Sequence, residues 1–303
     1  MSKVELIALN EHPYRAGGEK FSRPAPDAER LIRNGWACLP ENYEAPVIID
    51  VSPRPLNLTT PKAKAGKKQD KKITVYMATF PGRKRCLSDS VPSLLPQVDE
   101  FNLWLNGYDK KDPLPEFLND PKIKLHYGQD VGDVGKFMLI NEWQGYVFTC
   151  DDKLIYPPDY VHSMIEKIEE HKRKAVISAH GRNLKHPAKS YYFDHLQFFG
   201  CLETVKSDVF VEEIGTGAMA FHASTVNGLQ LAEFKFTNMT DILFSIWLND
   251  CGIPRMVIAH NAGWIQGSRN LKPPSISTTH NKNDGLHTEI INAVNWKIHE
   301  PTH

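Results

Sequence analysis

From Ile73 onward the chain alternates short runs of β-forming residues with stretches of helical period, and this alternation restricts the fold more than any other feature. "ITVYMATF", "FNLWLNGY", "IKLHYG", "GYVFTC" and "AVIS" read as five strands. Between them, the segment from "PGRKR" to Leu94-Leu95 reads as helix, as does "GKFMLINEW", with Phe137, Met138 and Ile140 to one side. In "DYVHSMIEKIEEHK" the apolar Tyr160, Val161, Met164, Ile165 and Ile168 recur at helical intervals. Strands alternating with helices predict an α/β fold, a mostly parallel sheet wound with helices on both faces. Such sheets take their ligands beyond the carboxyl ends of the strands.

Several chemically capable residues fall at those ends. Thr79, Pro81, Gly82 and Arg83 follow the first strand, and Asn106, Gly107 and Tyr108 the second. Asp130, Gly132, Asp133, Gly135 and Lys136 follow the third, and Asp151 and Asp152 the fourth. Glycine-bearing turns let backbone N–H groups approach phosphate, cations offset its charge, and carboxylates can hold a bridging divalent metal. Taken singly these signals are weak. "GDVGKF" lacks the spacing and the Ser/Thr of a Walker A loop, and an Asp pair after a strand also serves as turn and helix cap.

Residues 1–50 read as a small α+β module. "KVELIAL" is a strand, "EKFSR" pairs back after Gly17-Gly18, "PAPDAERLIRNG" is a helix closed by Gly35, and "WACLP" is a last short strand. Residues 51–72 are poor in apolar side chains and rich in Pro and Lys, which reads as a linker whose lysines can touch an anionic acceptor. Residues 73–303 form the main domain. Lys+Arg and Asp+Glu both number 36, so no strongly basic whole-chain field draws the protein to nucleic acid. Five singly placed cysteines without zinc-ligand spacing read as reduced thiols. With no signal-like leader and no apolar run long enough to span a bilayer, the chain reads as soluble and cytoplasmic, in a bacterial host if phage-encoded.

The order of the pieces "ATFPGRKRCLSDSVPSLLPQVDEFNLWLNGY", "GDVGKF", "YVFTCDDKLIYPPDYV", "GTGAMAFHAS" and "TDILFSIWLNDCGIP" resembles the GT-A type glycosyltransferases, near the family-2-like nucleotide-sugar enzymes, over about residues 73–295. The N-terminal module resembles short accessory modules of phage structural and modification proteins. The resemblance implies a GT-A-like (Rossmann-like) sheet and transfer of a sugar from a nucleotide donor, UDP by family habit, to an acceptor hydroxyl with inversion. It places Thr79, Pro81 and Arg83 along the nucleoside and its phosphates, Asn106 and Tyr108 beside the base, and Asp133 on base or ribose with Lys136 nearby. Asp151 and Asp152, together with His280, would hold a divalent metal, Mn²⁺ or Mg²⁺, on the diphosphate, and His280 and Lys282 belong to a loop that folds over it. Related sequences often carry three successive acids before "IYP", whereas this chain has Asp151, Asp152 and Lys153. Either Lys153 itself neutralises the diphosphate, or the two acids hold a metal with help from elsewhere.

The acceptor half starts at Gly215, Thr216, Gly217 and Ala218, small residues that permit close approach or simply turn the chain. "NMTDILFSIWLNDCGIP" is a helix capped by Asn238 or Thr240, with Asp241 in its first turn. An acid there suits any helix N-terminus, and the resemblance makes it the general base. Trp264 can stack on a sugar or sit in the core. The acceptor is a hydroxymethylated base in phage DNA, or else a glycan or protein side chain. A nucleotidyltransferase and a non-catalytic sugar- or nucleotide-binding module are the alternatives.

Overall fold

The computed structural model describes residues 70–271 and 284–300 and, of the first 69, the backbone of three strands. The chain divides into two compact units, Met1–Leu58 and Thr59–His303. In the first, β1 (Lys3–Ala8) pairs antiparallel with β2 (Lys20–Pro24) and β3 (Ala37–Cys38), in the order β2-β1-β3. These are the three strand segments expected there. The expected helix between them, most of the linker, His280 and Lys282 lie outside the described residues.

The second unit is α/β. Its large sheet contains β4 (Ile73–Thr79), β5 (Glu100–Asn106), β6 (Ile123–Gly128), β7 (Tyr146–Asp151), β9 (Val176–Ser178), β12 (Val209–Phe210), β14 (Ala218–His222) and β15 (Arg255–Val257). Their order is β12-β15-β9-β14-β7-β4-β5-β6. β7, β4, β5 and β6 run parallel, as do β15 and β9, while β14 is reversed between β9 and β7 and β12 is reversed at the edge. A mostly parallel sheet flanked by helices is compatible with a Rossmann-like fold.

Both faces are covered, so the inner strands are apolar almost throughout. Strand periodicity sorts their side chains. Val75, Met77, Phe101, Leu103, Phe148, Cys150 and Ala220 go to one face, where α1 (Leu87–Leu94) contributes Leu87, Val91 and Leu94 and α2 (Tyr160–Glu170) contributes Tyr160, Val161, Met164 and Ile168. On the other face lies an aromatic layer of Tyr76, Phe137, Trp143, Phe221 and Phe244, the last from α3 (Thr240–Asp250). The helix expected in "GKFMLINEW" is instead two 3-10 turns, Gly132–Phe137 and Ile140–Glu142. Gly132 stands at φ 62°, and a Cβ on Gly135 would lie 2.7 Å from Trp104 and 2.8 Å from Ala78. The turn is thus pressed onto β4 and β5 more tightly than an α-helix with side chains on that face allows.

A small antiparallel sheet of β10 (Gly181–Leu184), β11 (His195–Phe199) and β13 (Glu213–Ile214) follows β9. The pair β8 (Leu154–Ile155) and β16 (Gln266–Gly267) sits beyond β7, and α4 (Gly285–Asn292) lies near the C-terminus. Among the described residues, Cys86, Cys150, Cys201 and Cys251 are free thiols, and no helix is long and apolar enough to cross a membrane.

Candidate active site

β7 ends at Asp151 with Asp152 directly after it, and the alternation of the extended chain sends the two carboxylates to opposite faces. Asp152 turns toward the α1 face. There Thr79 Oγ1 donates to its Oδ2 at 2.8 Å and Arg83 Nη1 to its Oδ1 at 3.1 Å. Burial pushes this carboxyl above its usual range, against the pull of Arg83. Pro81 opens the 3-10 helix Pro81–Cys86 that carries Arg83 inward, and itself stays exposed.

Asp151 turns to the α3 face. Lys136 Nζ donates to its Oδ1 at 2.8 Å, and Lys153 Nζ lies 3.2 Å from its Oδ2. Burial alone would raise this carboxyl, but the two ammonium groups outweigh burial and hold it far below the carboxylate range. Lys136 is buried, which opposes its charge. The carboxylates Asp151, Asp133 and Asp241 outweigh that and keep it charged.

From Lys136 the network runs on to α3. Lys136 Nζ donates to Thr216 Oγ1 at 3.2 Å, and Thr216 donates to Asp241 Oδ1 through its backbone N at 2.8 Å and its Oγ1 at 2.6 Å. Thr216 Oγ1 also lies 3.1 Å from Thr240 Oγ1. Thr240 donates from both N and Oγ1 to Asp133 Oδ2. Asp133 thus caps α3 across a sequence gap of 107 residues. Neither Asn238 nor Thr240 caps the helix through its own side chain, because the N-cap residue is Met239. The Asp133 carboxyl is raised by burial, with Lys136 pulling the other way, and its Oδ1 is buried without a partner.

Both glycines of "GTG" are required by close approach. A Cβ on Gly217 would fall 2.5 Å from Asp151 Oδ2, and one on Gly215 would fall 2.2 Å from the His180 ring. Tyr156 locks this corner by donating its OH to Gly217 O at 2.6 Å while accepting from Asp151 N at 2.8 Å. Ala218 opens β14 opposite Cys150.

The remaining expected site residues fall elsewhere. Asn106 is buried and holds the turn before Asp133, donating to Gly132 O at 2.9 Å and accepting from Val131 N at 3.1 Å. Tyr108 donates to Phe80 O at 3.0 Å, and burial lifts its hydroxyl to about 12. Trp264 donates to Asp159 Oδ1 at 3.0 Å and packs between Tyr160 and His260, lining a cleft of about 580 Å³. The structure gives it no contact with the network around Asp151.

Sequence reading missed His180, Arg182, Tyr191 and Glu213. Glu213 is buried, pairs with Arg182 at 3.3 Å and accepts from Tyr191 OH at 2.7 Å. Burial pushes its carboxyl up to about 7 against the pull of Arg182. Arg182 stands over the Tyr191 and Phe198 rings. His180, beside Phe198, is driven down to about 4 by burial and then by Arg182. An apolar-flanked Glu in "FVEEIG" was the one available signal.

The residues present do not fit a divalent metal held jointly by Asp151 and Asp152. The two carboxylates face opposite sides of the sheet, and each already carries cationic donors. Among the described residues, no group of three or more His, Cys, Asp or Glu side chains could hold a metal ion. Compared with known proteins, the chain matches no family model and no curated sequence.

Proposed function

We propose that this chain is a glycosyltransferase of GT-A type that moves a sugar from a nucleotide donor, UDP-linked, to an acceptor hydroxyl with inversion. One observation carries the reading. Lys136, Asp151, Lys153, Thr216 and Asp241 come from four separate chain segments and join in one network past the carboxyl end of β7. That is where open α/β sheets take nucleotides.

The chemistry follows from the charges. The donor diphosphate lies against Lys153, with Lys136 behind it. Asp241 Oδ2, the oxygen not taken by Thr216, removes the proton of the acceptor hydroxyl. The acceptor oxygen bonds to the anomeric carbon from the side opposite the phosphate. The bond from that carbon to the phosphate oxygen breaks, and its electron pair leaves on the diphosphate, where the ammonium groups stabilise it. Thr216 holds Asp241 in place through two bonds to one oxygen. Arg83 and Thr79 hold Asp152 on the opposite face of the sheet, away from the diphosphate.

A panel of nucleotide sugars, assayed for release of nucleoside diphosphate, tests the reading. Release from one donor and retention by Asp241→Asn of donor binding, with transfer reduced by about 100-fold or more, is the expected result. Release of pyrophosphate from a nucleoside triphosphate would instead favour a nucleotidyltransferase. Full transfer by Asp241→Asn would remove Asp241 as base.

A further inference from the structure

Resting on that reading, we infer that the cation meeting the donor diphosphate is the Lys153 ammonium, and that the site binds its nucleotide without a divalent metal. Lys153 stands immediately after the two acids that end β7, where the resemblance implies a third acid. Its Nζ lies 3.2 Å from Asp151 Oδ2, and its side chain is 35% exposed, against 5% for Lys136 on the other oxygen. A magnesium-like ion needs near-octahedral oxygen ligands at about 2.0–2.1 Å. Bound to Asp151, it would sit against two ammonium groups, and it would gain nothing from Asp152, which is turned away to Arg83 and Thr79. The donor set around Asp151 suits an anion approaching Lys153 better than a dication.

Lys153 is also built into place. Its carbonyl accepts from Ser268 N at 2.7 Å, next to the β8–β16 pairing of Leu154 with Gly267. Ser268 Oγ is in turn bound to Asp89 Oδ2 at 2.7 Å. The backbone at 153 is therefore fixed while the ammonium end reaches outward. When the diphosphate arrives, Lys153 exchanges Asp151 Oδ2 for phosphate oxygens, offering up to three donors as a point charge. Asp151 keeps Lys136.

The test is calorimetric titration with uridine and guanosine diphosphate, in excess EDTA and in manganese. Wild-type protein is expected to bind one of them with dissociation constants within about threefold in the two conditions. Lys153→Ala should weaken binding in EDTA by about tenfold or more, while Lys153→Arg stays within a few-fold. Lys153→Asp, which restores the third acid, should bind only when manganese is present. Wild-type binding that appears only with manganese overturns the inference and leaves the glycosyltransferase reading standing, as does undiminished binding by Lys153→Ala in EDTA. Absence of nucleotide binding in both conditions overturns both. The wild-type comparison decides metal dependence even if a variant fails to fold, and the role of Lys153 is read from whichever of Lys153→Ala and Lys153→Asp folds.

Discussion

Glu213 carries a pH dependence that can be worked out from its surroundings. Its ordinary value is near 4.5, and burial lifts it to about 7 despite Arg182. Between those values the folded chain holds a proton that the unfolded chain has released, so stability falls as pH rises through this window. The contribution is complete below about 4.5 and lost above about 7, up to about 3 kcal/mol. Arg182 keeps its charge throughout, so the carboxyl is the member of the pair that titrates. Glu213→Gln imitates the protonated acid in shape and charge. Urea unfolding at pH 5 and pH 8 should therefore show the variant close to wild type at the lower pH and more stable at the higher. Parallel pH profiles for the two proteins would mean that the carboxyl is ionised throughout and that Arg182 outweighs burial. The same arrangement rules on His180. Held neutral by burial and by Arg182, it is in no position to carry charge to a phosphate at neutral pH.

At the scale of elements, α3 begins where it does because Asp133 receives it. Removing that carboxylate leaves Thr240 N and Oγ1, both on a fully buried residue, without their acceptor. Asp133→Ala should cost about 1–2 kcal/mol in urea unfolding, and Asp133→Asn, which keeps an acceptor oxygen, much less. Equal losses for the two would point to charge rather than the hydrogen bond. This cap also shows where sequence reading stops. The strands β4 to β7 and the helix α2 were legible, because each declares itself through local periodicity in residues such as Val75, Met77, Met164 and Ile168. The strand-end residues could be nominated for the same reason, since they follow each run of β-formers. Their partners could not. Whether Asp151 and Asp152 share a ligand depends on which side of the sheet each turns to, and on where Arg83 and Lys136 arrive. The cap from Asp133 spans 107 residues, so local capping rules favoured Asn238 or Thr240 instead. The "GKFMLINEW" segment has helical spacing, but the contact of Gly135 with Trp104 and Ala78 decides for a tight 3-10 turn. Glu213 and Arg182 meet because β13 pairs with β10, a pairing that nothing in either short segment announces.

For the whole molecule, the chain divides into two units, Met1–Leu58 and Thr59–His303. Every residue of the network, from Thr79 to Asp241, belongs to Thr59–His303. That unit has its own sheet and core and is large enough to fold alone. The place to cut is set by Asp70, which pairs with Arg173 at 2.8 Å and whose carbonyl lies 3.1 Å from His222 Nε2. A chain starting at Gln69 keeps both contacts and sheds Lys62, Lys64, Lys67 and Lys68 together with the small N-terminal sheet. Such a chain should bind nucleotide within about twofold of the full protein and unfold at the same urea midpoint as the main transition. Acceptor binding should respond differently according to what the acceptor is. The full chain has no net charge, so affinity for DNA has to come from a local basic stretch, and the lysines of residues 62–72 are the densest one. If the acceptor is a base in DNA, log affinity plotted against log salt should fall with a slope of about −2 or steeper in the full chain and flatten in the shortened one. If it is a neutral glycan, both chains should bind alike at every salt concentration. Loss of nucleotide binding in a shortened chain that still folds would place part of the donor site in the first unit, against the network described here.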